Sequence, residues 1–233
     1  MTFISKAAFI AATLVSTSAF AATTINSISG TWTGAAPANN LSGLNTDTIQ
    51  WGGSNGARSS YSFGAAGTPL TVEIDEVFDL GQFTHNNQAI TAGTSITTAT
   101  LEVNVVGDID GTAFNLTSVF NFDHDETPNS GALANCPYPN SQTVCDDNVS
   151  ATLNVGQSQG IMVGDREYFF TISGFEYGGG VFDSFLTAEG FNNTAVLKGS
   201  LSVAPVPVPA SVALLLGGVG ALGAAARRKK KSA

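Results

Sequence analysis

The chain contains two histidines, His85 and His124, and each lies among side chains that are able to hold a cation. His85 belongs to the stretch Thr84, His85, Asn86, Asn87, and a neutral imidazole can ligate a metal ion or act as a base. Catalysis also needs a nucleophile and an orienting partner, and one sequence does not place them beside a histidine. Short polar side chains in turns commonly bond to local backbone. A structural turn is therefore the first interpretation of this stretch, and ligand binding is the second.

His124 lies within the run Asp123, His124, Asp125, Glu126. Successive side chains of a strand project to opposite sides. At a strand end, the two aspartates would therefore share one face while the histidine and the glutamate share the other. Either pair is able to bind a cation or to stay solvated at the mouth of a loop.

Three acidic clusters are first interpreted as plain solvated turns, with calcium binding as the alternative. An EF-hand is not predicted, because no glutamate stands at the twelfth position of such a loop and no flanking helices are indicated. The candidate ligands are Asp108, Asp110, Asp123, Asp125, Asp146 and Asp147. No other cofactor is expected.

The absence of common enzyme signatures argues against catalysis, since the chain has no H-E-x-x-H motif and no P-loop. Two carboxylates of a glycosidase can meet across a cleft, but with 18 acidic residues any such pair would be a chance assignment. Aromatic side chains could form a sugar-stacking platform, although in a β protein they usually belong to the core. These aromatic residues are Trp32, Trp51, Tyr61 and Tyr138. We expect a protein that is not an enzyme, with an extracellular hydrolase as the alternative.

The beginning of the chain predicts export. Lys6 precedes an apolar run at 7–15, and Ala19, Phe20 and Ala21 form an A-x-A cleavage site. Residues 1–21 are therefore predicted to be a secretory signal peptide. Residues 22–204 would follow as one extracytoplasmic domain.

Residues 22–204 hold all 18 acidic residues against Arg58, Arg166 and Lys198, which gives this part a net charge of −15. Such a surface repels nucleic acid and anionic lipid and attracts divalent cations, so nucleic acid is excluded as a partner. The first hypothesis for function is a non-enzymatic protein of the cell surface or extracellular matrix. The second is a carbohydrate- or calcium-dependent binding module in matrix assembly, with extracellular polysaccharide as its partner.

Residues 205–233 are predicted to form a sorting region with three parts. The first part is a proline motif made of Val206, Pro207, Val208, Pro209 and Ala210. The uncharged stretch 210–226 would form a transmembrane helix of roughly 25 Å, enough to cross a bilayer core. The third part is a basic cluster that would stop transfer of the chain across the membrane. By the positive-inside rule, it would remain in the cytoplasm. It consists of Arg227, Arg228, Lys229, Lys230 and Lys231.

This order of motif, helix and basic cluster resembles the C-terminal sorting regions of PEP-CTERM proteins, the exosortase substrates of Gram-negative bacteria, and especially their VPLPA variant. The resemblance implies an exosortase-type transpeptidase as partner. It also implies an inner-membrane-anchored precursor with a periplasmic domain, which is cut near the motif and moved to the cell surface or the exterior. A plain single-span anchor that is never cut is the alternative.

The stretch around His85 resembles the T-H-x-N motif of the THxN family of such sorting-signal proteins, with Thr84, His85 and Asn87 on its named positions. Stretches within 51–63, 126–129, 136–137 and 145–149 fit the same family. The family supplies no established activity. The resemblance therefore implies localisation and architecture more than function.

Cys136 and Cys145 are the only cysteines, and two nearby cysteines in an oxidising compartment form a disulfide. The bridge would close a short loop and contribute about 2–3 kcal/mol through loop entropy. A zinc site is not expected there, because no neighbouring cysteine or histidine completes a ligand set.

Alternation of apolar and polar residues with period two dominates the domain, and helical periodicity is nearly absent from it. The clearest run contains Phe114, Leu116, Phe120 and Phe122. Further runs lie at 70–74, 101–105, 149–155, 168–172 and 195–203. These runs predict an all-β fold, an antiparallel β-sandwich of jelly-roll-like or immunoglobulin-like type. Residues 35–66 and 123–147 are predicted to be irregular, and long loops often carry binding sites.

Overall fold

Antiparallel strands supply nearly all regular structure in the computed structural model, which describes residues 23–38, 40–53, 56–130, 132–142, 144–152 and 160–204. These ranges contain thirteen strands and one 3-10 turn, Leu133–Asn135. The strands are β1 (Thr23–Ala36), β2 (Thr48–Gly52), β3 (Arg58–Ala65), β4 (Leu70–Val72), β5 (Val77–Asn86), β6 (Thr98–Ile109), β7 (Thr112–Asp125), β8 (Asp147–Thr152), β9 (Ile161–Val163), β10 (Arg166–Tyr177), β11 (Gly180–Phe182), β12 (Ser184–Thr187) and β13 (Asn192–Val203).

The predicted signal peptide and the predicted sorting region, with its proline motif, helix and basic cluster, lie outside the described residues. Within the described ranges, no helix has the length and apolar content needed to cross a membrane.

Two antiparallel sheets face each other, so the all-β prediction is confirmed. The first sheet has the strand order β12, β8, β7, β6, β1, β4. The second has the order β11, β10, β13, β5, β3, β2, with β9 paired to β10. Because β7 and β5 lie well inside their sheets, side chains that they direct inward reach the middle of the sandwich.

Strand β7 shows how alternation produces the two faces. Its buried and exposed residues alternate along almost the whole strand, and Phe114, Phe120 and Phe122 point into the core. Besides His124, the polar residue at a buried position of this strand is Ser118. Its hydroxyl donates a hydrogen bond of 3.0 Å to the backbone carbonyl of Phe170 in the second sheet. This bond satisfies a buried polar group that would otherwise destabilise the core.

Aromatic rings join the two sheets. Phe83 on β5 stacks on Phe122 of β7 with ring centroids 5.4 Å apart and planes only 14° from parallel. Trp32 on β1 contacts both Tyr61 of β3 and Phe122, each with a centroid distance of 5.4 Å. All of these side chains are at most 2% exposed, so they form the centre of the core.

Gly30 lets the two sheets approach closely at one point of this core. A Cβ atom built on Gly30 would lie 2.2 Å from Cδ1 of Phe63, which belongs to the opposite sheet. No side-chain carbon tolerates that distance. Gly34, further along β1, differs, because its Cβ would meet Thr100 at an ordinary 3.5 Å.

Several strands depart from the sequence expectation. Residues 35–66 were predicted to be irregular, but they contain the strands β2 and β3. Buried residues alternate with less buried ones along β3. Strand β1 was not predicted, because its pairing with β6 has register shifts between Ile25 and Ser27 and between Trp32 and Gly34. Bulges of this kind break period-two alternation. The alternating runs that were predicted each contribute residues to a strand, namely β4, β6, β7, β8, β10 and β13.

The predicted disulfide is present between Cys136 and Cys145, with Cα atoms 5.1 Å apart. It lies in the long loop between β7 and β8, as expected. The loop is also fastened to the sandwich, because the Thr127 hydroxyl donates to the backbone carbonyl of Cys145 at 2.9 Å. The bridge therefore holds the segment that leads into β8.

On the outer face of the second sheet, Lys198 forms ion pairs with Asp79 and Glu176. The three residues lie on the neighbouring strands β13, β5 and β10. Partial burial acts to lower the pKa of Lys198, but hydrogen bonds to the two carboxylates raise it overall.

Candidate functional site

Five titratable side chains meet between the two sheets at one end of the sandwich. We call them the interior cluster: His85, His124, Glu126, Asp147 and Glu189. They converge because β5, β7 and β12 end here, while β8 and β13 begin here. The cluster therefore combines residues that are far apart in the sequence and belong to both sheets.

Two overlapping groups of possible ligand atoms make up the interior cluster. One ring nitrogen of His85, one of His124 and a carboxylate oxygen of Asp147 lie within 4.8 Å of one another. A second group consists of carboxylate oxygens of Glu126, Asp147 and Glu189, which also lie within 4.8 Å of one another. His85 and Asp147 are fully buried, and His124 and Glu189 are only 4% and 8% exposed. Asp147 thus links two groups of ligands that are nearly closed to solvent.

The hydrogen bonds of His85 are compatible with one metal-binding tautomer. Its Nδ1 lies 2.9 Å from the hydroxyl of Thr187, which itself lies 3.3 Å from the backbone carbonyl of Asp147. When the single hydrogen of this hydroxyl goes to that carbonyl, the hydroxyl accepts from Nδ1 of His85 and Nε2 carries a lone pair. Nε2 has no hydrogen-bond partner among the described residues. Burial, and then the neighbouring His124, lower the pKa of His85, which keeps the ring neutral.

Asp147 is held by one carboxylate oxygen only. Its Oδ1 accepts a hydrogen bond from the backbone N–H of Thr127 at 2.7 Å and lies 3.1 Å from the Thr127 hydroxyl, whose one hydrogen is shared between this oxygen and the Cys145 carbonyl. Its Oδ2 is buried and, in the part of the chain that the structure describes, unpartnered. Burial, followed by repulsion from Glu126, raises the pKa of Asp147 to about 6. The orientation of the carboxyl is therefore fixed while one oxygen stays available.

Glu189 lies in the turn between β12 and β13 and directs its carboxyl inward. Both of its carboxylate oxygens are buried without a hydrogen-bond partner in the described ranges. Burial raises the pKa of Glu189 to about 7, with further contributions from Asp147 and Glu126. Nothing described in the protein compensates this carboxylate, although a cation would.

His124 has a partner on each ring nitrogen. Its Nδ1 lies 2.5 Å from the hydroxyl of Tyr61, and its Nε2 lies 3.4 Å from Oε2 of Glu126. Burial, together with the nearby Asp147 and Glu126, raises the pKa of Tyr61 well above its usual value, so the phenol stays neutral. The ring of His124 lies almost perpendicular to that of His85, at 81°.

A surface cavity of about 520 Å³ adjoins the interior cluster. Glu126 belongs to both, since it lines the cavity and is 19% exposed in its side chain. Ser95, also on the cavity wall, donates a hydrogen bond of 3.1 Å to Oε2 of Glu126. Glu126 therefore lies between the interior cluster and the cavity.

The stretch Thr84, His85, Asn87 is not an isolated turn, because Thr84 and His85 lie within β5 and point to opposite sides of it. Asn87 follows the strand and is fully buried. Its side-chain amide donates to the carbonyl of Thr187 at 3.1 Å, and its backbone N–H donates to the carbonyl of Phe191 at 3.0 Å. Asn87 thus fastens β5 to the turn that carries Glu189, whereas the sequence predicted bonds to local backbone.

The predicted alternation around His124 is confirmed. His124 is buried and Glu126 is half-buried, whereas Asp123 and Asp125 are exposed on the other face of β7. Asp125 accepts a hydrogen bond from the hydroxyl of Tyr138. The inward pair joins the interior cluster, and the outward pair does not.

The other calcium candidates occupy separate places. Asp108 and Asp110 lie at the far end of the β6–β7 hairpin, where Asp108 accepts a hydrogen bond of 2.7 Å from the backbone N–H of Gly111. Asp146 accepts from the backbone N–H of Gln142 at 3.1 Å. Among the described residues, Asp147 is the one calcium candidate that belongs to a group of three or more possible ligands. Calcium binding at the other positions stays a prediction.

Sequence reasoning missed Glu189 and Thr187. Thr187 is the last residue of β12, and Glu189 lies in the turn that follows. Nothing in the local sequence distinguishes Glu189 from a solvated acidic residue. The aromatic sugar platform is not formed, because Trp32, Trp51 and Tyr61 are fully buried. Trp51 instead stacks on His85, with ring centroids 5.7 Å apart and planes at 25°.

Two pentapeptides, 52–56 and 156–160, have the spacing G-x-S-x-G of a nucleophile elbow. Such an elbow places its serine between a strand and a helix. In this chain the next described elements are the strands β3 and β9. Among the described residues, no helix directly follows either pentapeptide along the chain.

Comparison with known proteins identifies the C-terminal part of the chain. No curated protein matches the sequence. A protein-family model, described as the PEP-CTERM protein-sorting motif, matches residues 205–230. This match agrees with the resemblance in the proline motif, the apolar stretch and the basic cluster. The chain therefore carries a PEP-CTERM sorting motif, the signal of an exported, membrane-anchored precursor that an exosortase-type enzyme processes.

Proposed function

We propose that this chain is a non-enzymatic protein of the cell surface or extracellular matrix and a member of the THxN group of exosortase substrates. The observation that carries the proposal is the PEP-CTERM motif at residues 205–230, which follows directly on the last strand, β13. A strongly acidic domain stapled by a disulfide is suited to the oxidising, cation-rich exterior of a cell.

The geometry of the interior cluster supports a binding role rather than catalysis. His85 is fully buried, and the hydroxyl nearest to its ring, that of Thr187, is committed to hydrogen bonds at Nδ1 and at a backbone carbonyl. A general base has to reach the substrate proton within hydrogen-bond distance. Among the members of the interior cluster, Glu126 lines the described cavity and His85 does not.

A second candidate function is a binding module for extracellular polysaccharide. It is favoured by the cavity of about 520 Å³, whose polar wall includes Ser95, Glu126 and Asn129. The measurement is calorimetric titration of the full chain with matrix polysaccharide. Absence of heat and of a melting shift would remove this candidate.

The main proposal is tested by the intact mass of the protein recovered from a Gram-negative host. With an exosortase-type enzyme present, we expect a product that lacks residues 1–21 and most of the tail. In the same host without the enzyme, the tail should remain and the protein should stay in the inner membrane.

Two variants sharpen this test. Deletion of residues 205–233 should release the domain without the enzyme, and Pro207→Ala with Pro209→Ala should leave the tail uncut although the enzyme is present. Equal masses in both hosts would contradict processing. Membrane retention of the deletion variant would contradict anchoring by the tail.

A further inference from the structure

We infer that the interior cluster is a binding site for one divalent transition-metal ion of the zinc class, ligated by His85, His124 and Asp147 and completed by Glu189. The inference goes beyond the exported role and does not depend on it. It rests on the positions of buried acceptor atoms that have no partner, on the bonds that orient the ligands, and on the chemistry of the donor set.

Unpartnered acceptor atoms accumulate in one place, the interior cluster. Nε2 of His85, Oδ2 of Asp147 and both carboxylate oxygens of Glu189 are buried without hydrogen-bond partners in the described part of the chain. Each such atom destabilises the fold, and buried polar groups normally find partners. Asp147 belongs both to the group with the two histidines and to the group with Glu189, so an ion bound at Asp147 would lie beside all of these side chains.

Protonation alone does not remove this problem. A proton on Glu189 or Asp147 would cancel charge, and the raised pKa values of both carboxyls reflect that tendency. However, a protonated carboxyl is a donor that needs an acceptor, and its other oxygen still lacks a donor. A metal ion satisfies several oxygens and nitrogens at once.

Hydrogen bonds orient the two imidazole rings of the interior cluster. Nδ1 of His85 meets the hydroxyl of Thr187, and Nδ1 of His124 meets the hydroxyl of Tyr61. In protein metal sites, the histidine nitrogen that does not bind the metal commonly bonds to such an outer partner, which fixes the ring and its tautomer. Asp147 is oriented in the same way by Thr127 through its other oxygen.

The donor set selects the class of metal. Imidazole nitrogen suits zinc and its neighbours in the first transition row, whereas calcium takes six to eight oxygen ligands. Two histidines with one or two carboxylates form a typical zinc environment. Nε2 of His124 lies 3.4 Å from Oε2 of Glu126, and the ion would replace this long contact. Glu126 also lines the cavity, so it marks the route by which the ion would reach the cluster.

The ion would connect the two sheets of the sandwich. His85 belongs to the second sheet, His124 and Asp147 to the first, and Glu189 to the turn between β12 and β13. Binding by the folded state stabilises it in proportion to the logarithm of ion concentration. The melting temperature of the protein should therefore rise with zinc.

The test uses the full chain, purified in detergent without a histidine tag, stripped with a chelator and titrated with Zn²⁺, Co²⁺ or Ca²⁺ alone. We expect about one Zn²⁺ or Co²⁺ per chain by elemental analysis, and a visible absorption band of Co²⁺ with nitrogen and oxygen ligands. Glu189→Gln removes a charge but no described hydrogen bond. It should therefore fold, and it should bind roughly 10- to 100-fold more weakly.

Asp147→Asn should weaken binding at least as much, while Asp125→Asn serves as the matched control, since Asp125 faces outward next to His124 on the same strand. Circular dichroism checks that each variant is folded. The inference is overturned if the folded chain takes up neither Zn²⁺ nor Co²⁺, if Ca²⁺ binds instead, or if both variants bind as tightly as the unaltered chain. Export and tail processing are measured by intact mass, whereas the metal site is measured by metal binding. The proposed function and the proposed metal site can therefore fail independently.

Discussion

Replacing Glu189 by glutamine should stabilise the metal-free protein, which is the opposite of what a buried substitution usually does. Glu189 is 8% exposed, and both carboxylate oxygens lack hydrogen-bond partners among the described residues. Glutamine keeps the shape of the side chain and removes its charge. No described hydrogen bond is lost, so the change mainly relieves electrostatic repulsion.

The size of the effect follows from the distances in the interior cluster. Carboxylate oxygens of Glu126, Asp147 and Glu189 lie within 4.8 Å of one another. At an effective dielectric constant of about 20, two full charges at this distance repel by about 3 kcal/mol. Proton uptake relieves part of this energy, so we expect a gain of about 1–3 kcal/mol in the free energy of unfolding. For a domain of this size, that corresponds to a rise of roughly 2–12 °C in melting temperature.

The assay is thermal unfolding in chelator at mildly alkaline pH, followed by circular dichroism. Glu102→Gln is the control, because Glu102 is exposed on the outer face of β6 and such surface changes stay within about 0.5 kcal/mol. Saturating zinc should reverse the order, so that the unaltered chain melts above Glu189→Gln. A variant that melts below the unaltered chain in chelator would refute the reasoning, since Glu189 would then have a stabilising partner.

Three further predictions concern the fold. Gly30→Ala should cost about 1–3 kcal/mol in urea unfolding by overpacking the core, whereas Gly34→Ala, whose Cβ would meet Thr100 at an ordinary contact distance, should change little. Replacing Cys136 and Cys145 by serine should cost about 2–3 kcal/mol in the same assay and nothing under reducing conditions. Lys198→Met should cost up to about 1 kcal/mol at low salt and less at high salt. Because the pKa of Lys198 is raised, its contribution persists through neutral pH and is lost as the pH rises through that pKa.

Much of the fold was predictable where alternation is regular. Strand β7 shows its two faces directly in the sequence, and the inward direction of His124 follows from them. Strand β1 was not predictable in this way, because its buried residues Ile25, Ile28 and Trp32 are spaced by three and four positions across bulges. That spacing is closer to helical than to strand periodicity.

The candidate site was predictable only in pieces. His85, His124 and Asp147 were each named as candidate ligands, but within three separate motifs. Their meeting depends on which strand ends share one edge of the sandwich, and this order is a property of long-range pairing rather than of local sequence. Glu189 was missed because its burial comes from the Asn87 bonds that hold its turn against β5.

The position of β13 has a mechanical consequence. This strand is paired on both sides, to β10 and to β5, and it ends at Val203, next to the matched sorting motif that begins at residue 205. A pulling force at a C-terminal attachment would enter the domain along β13. The force would load the hydrogen bonds of both neighbouring strands together in shear rather than peel them one by one. The attached end would therefore load two ladders of hydrogen bonds rather than one.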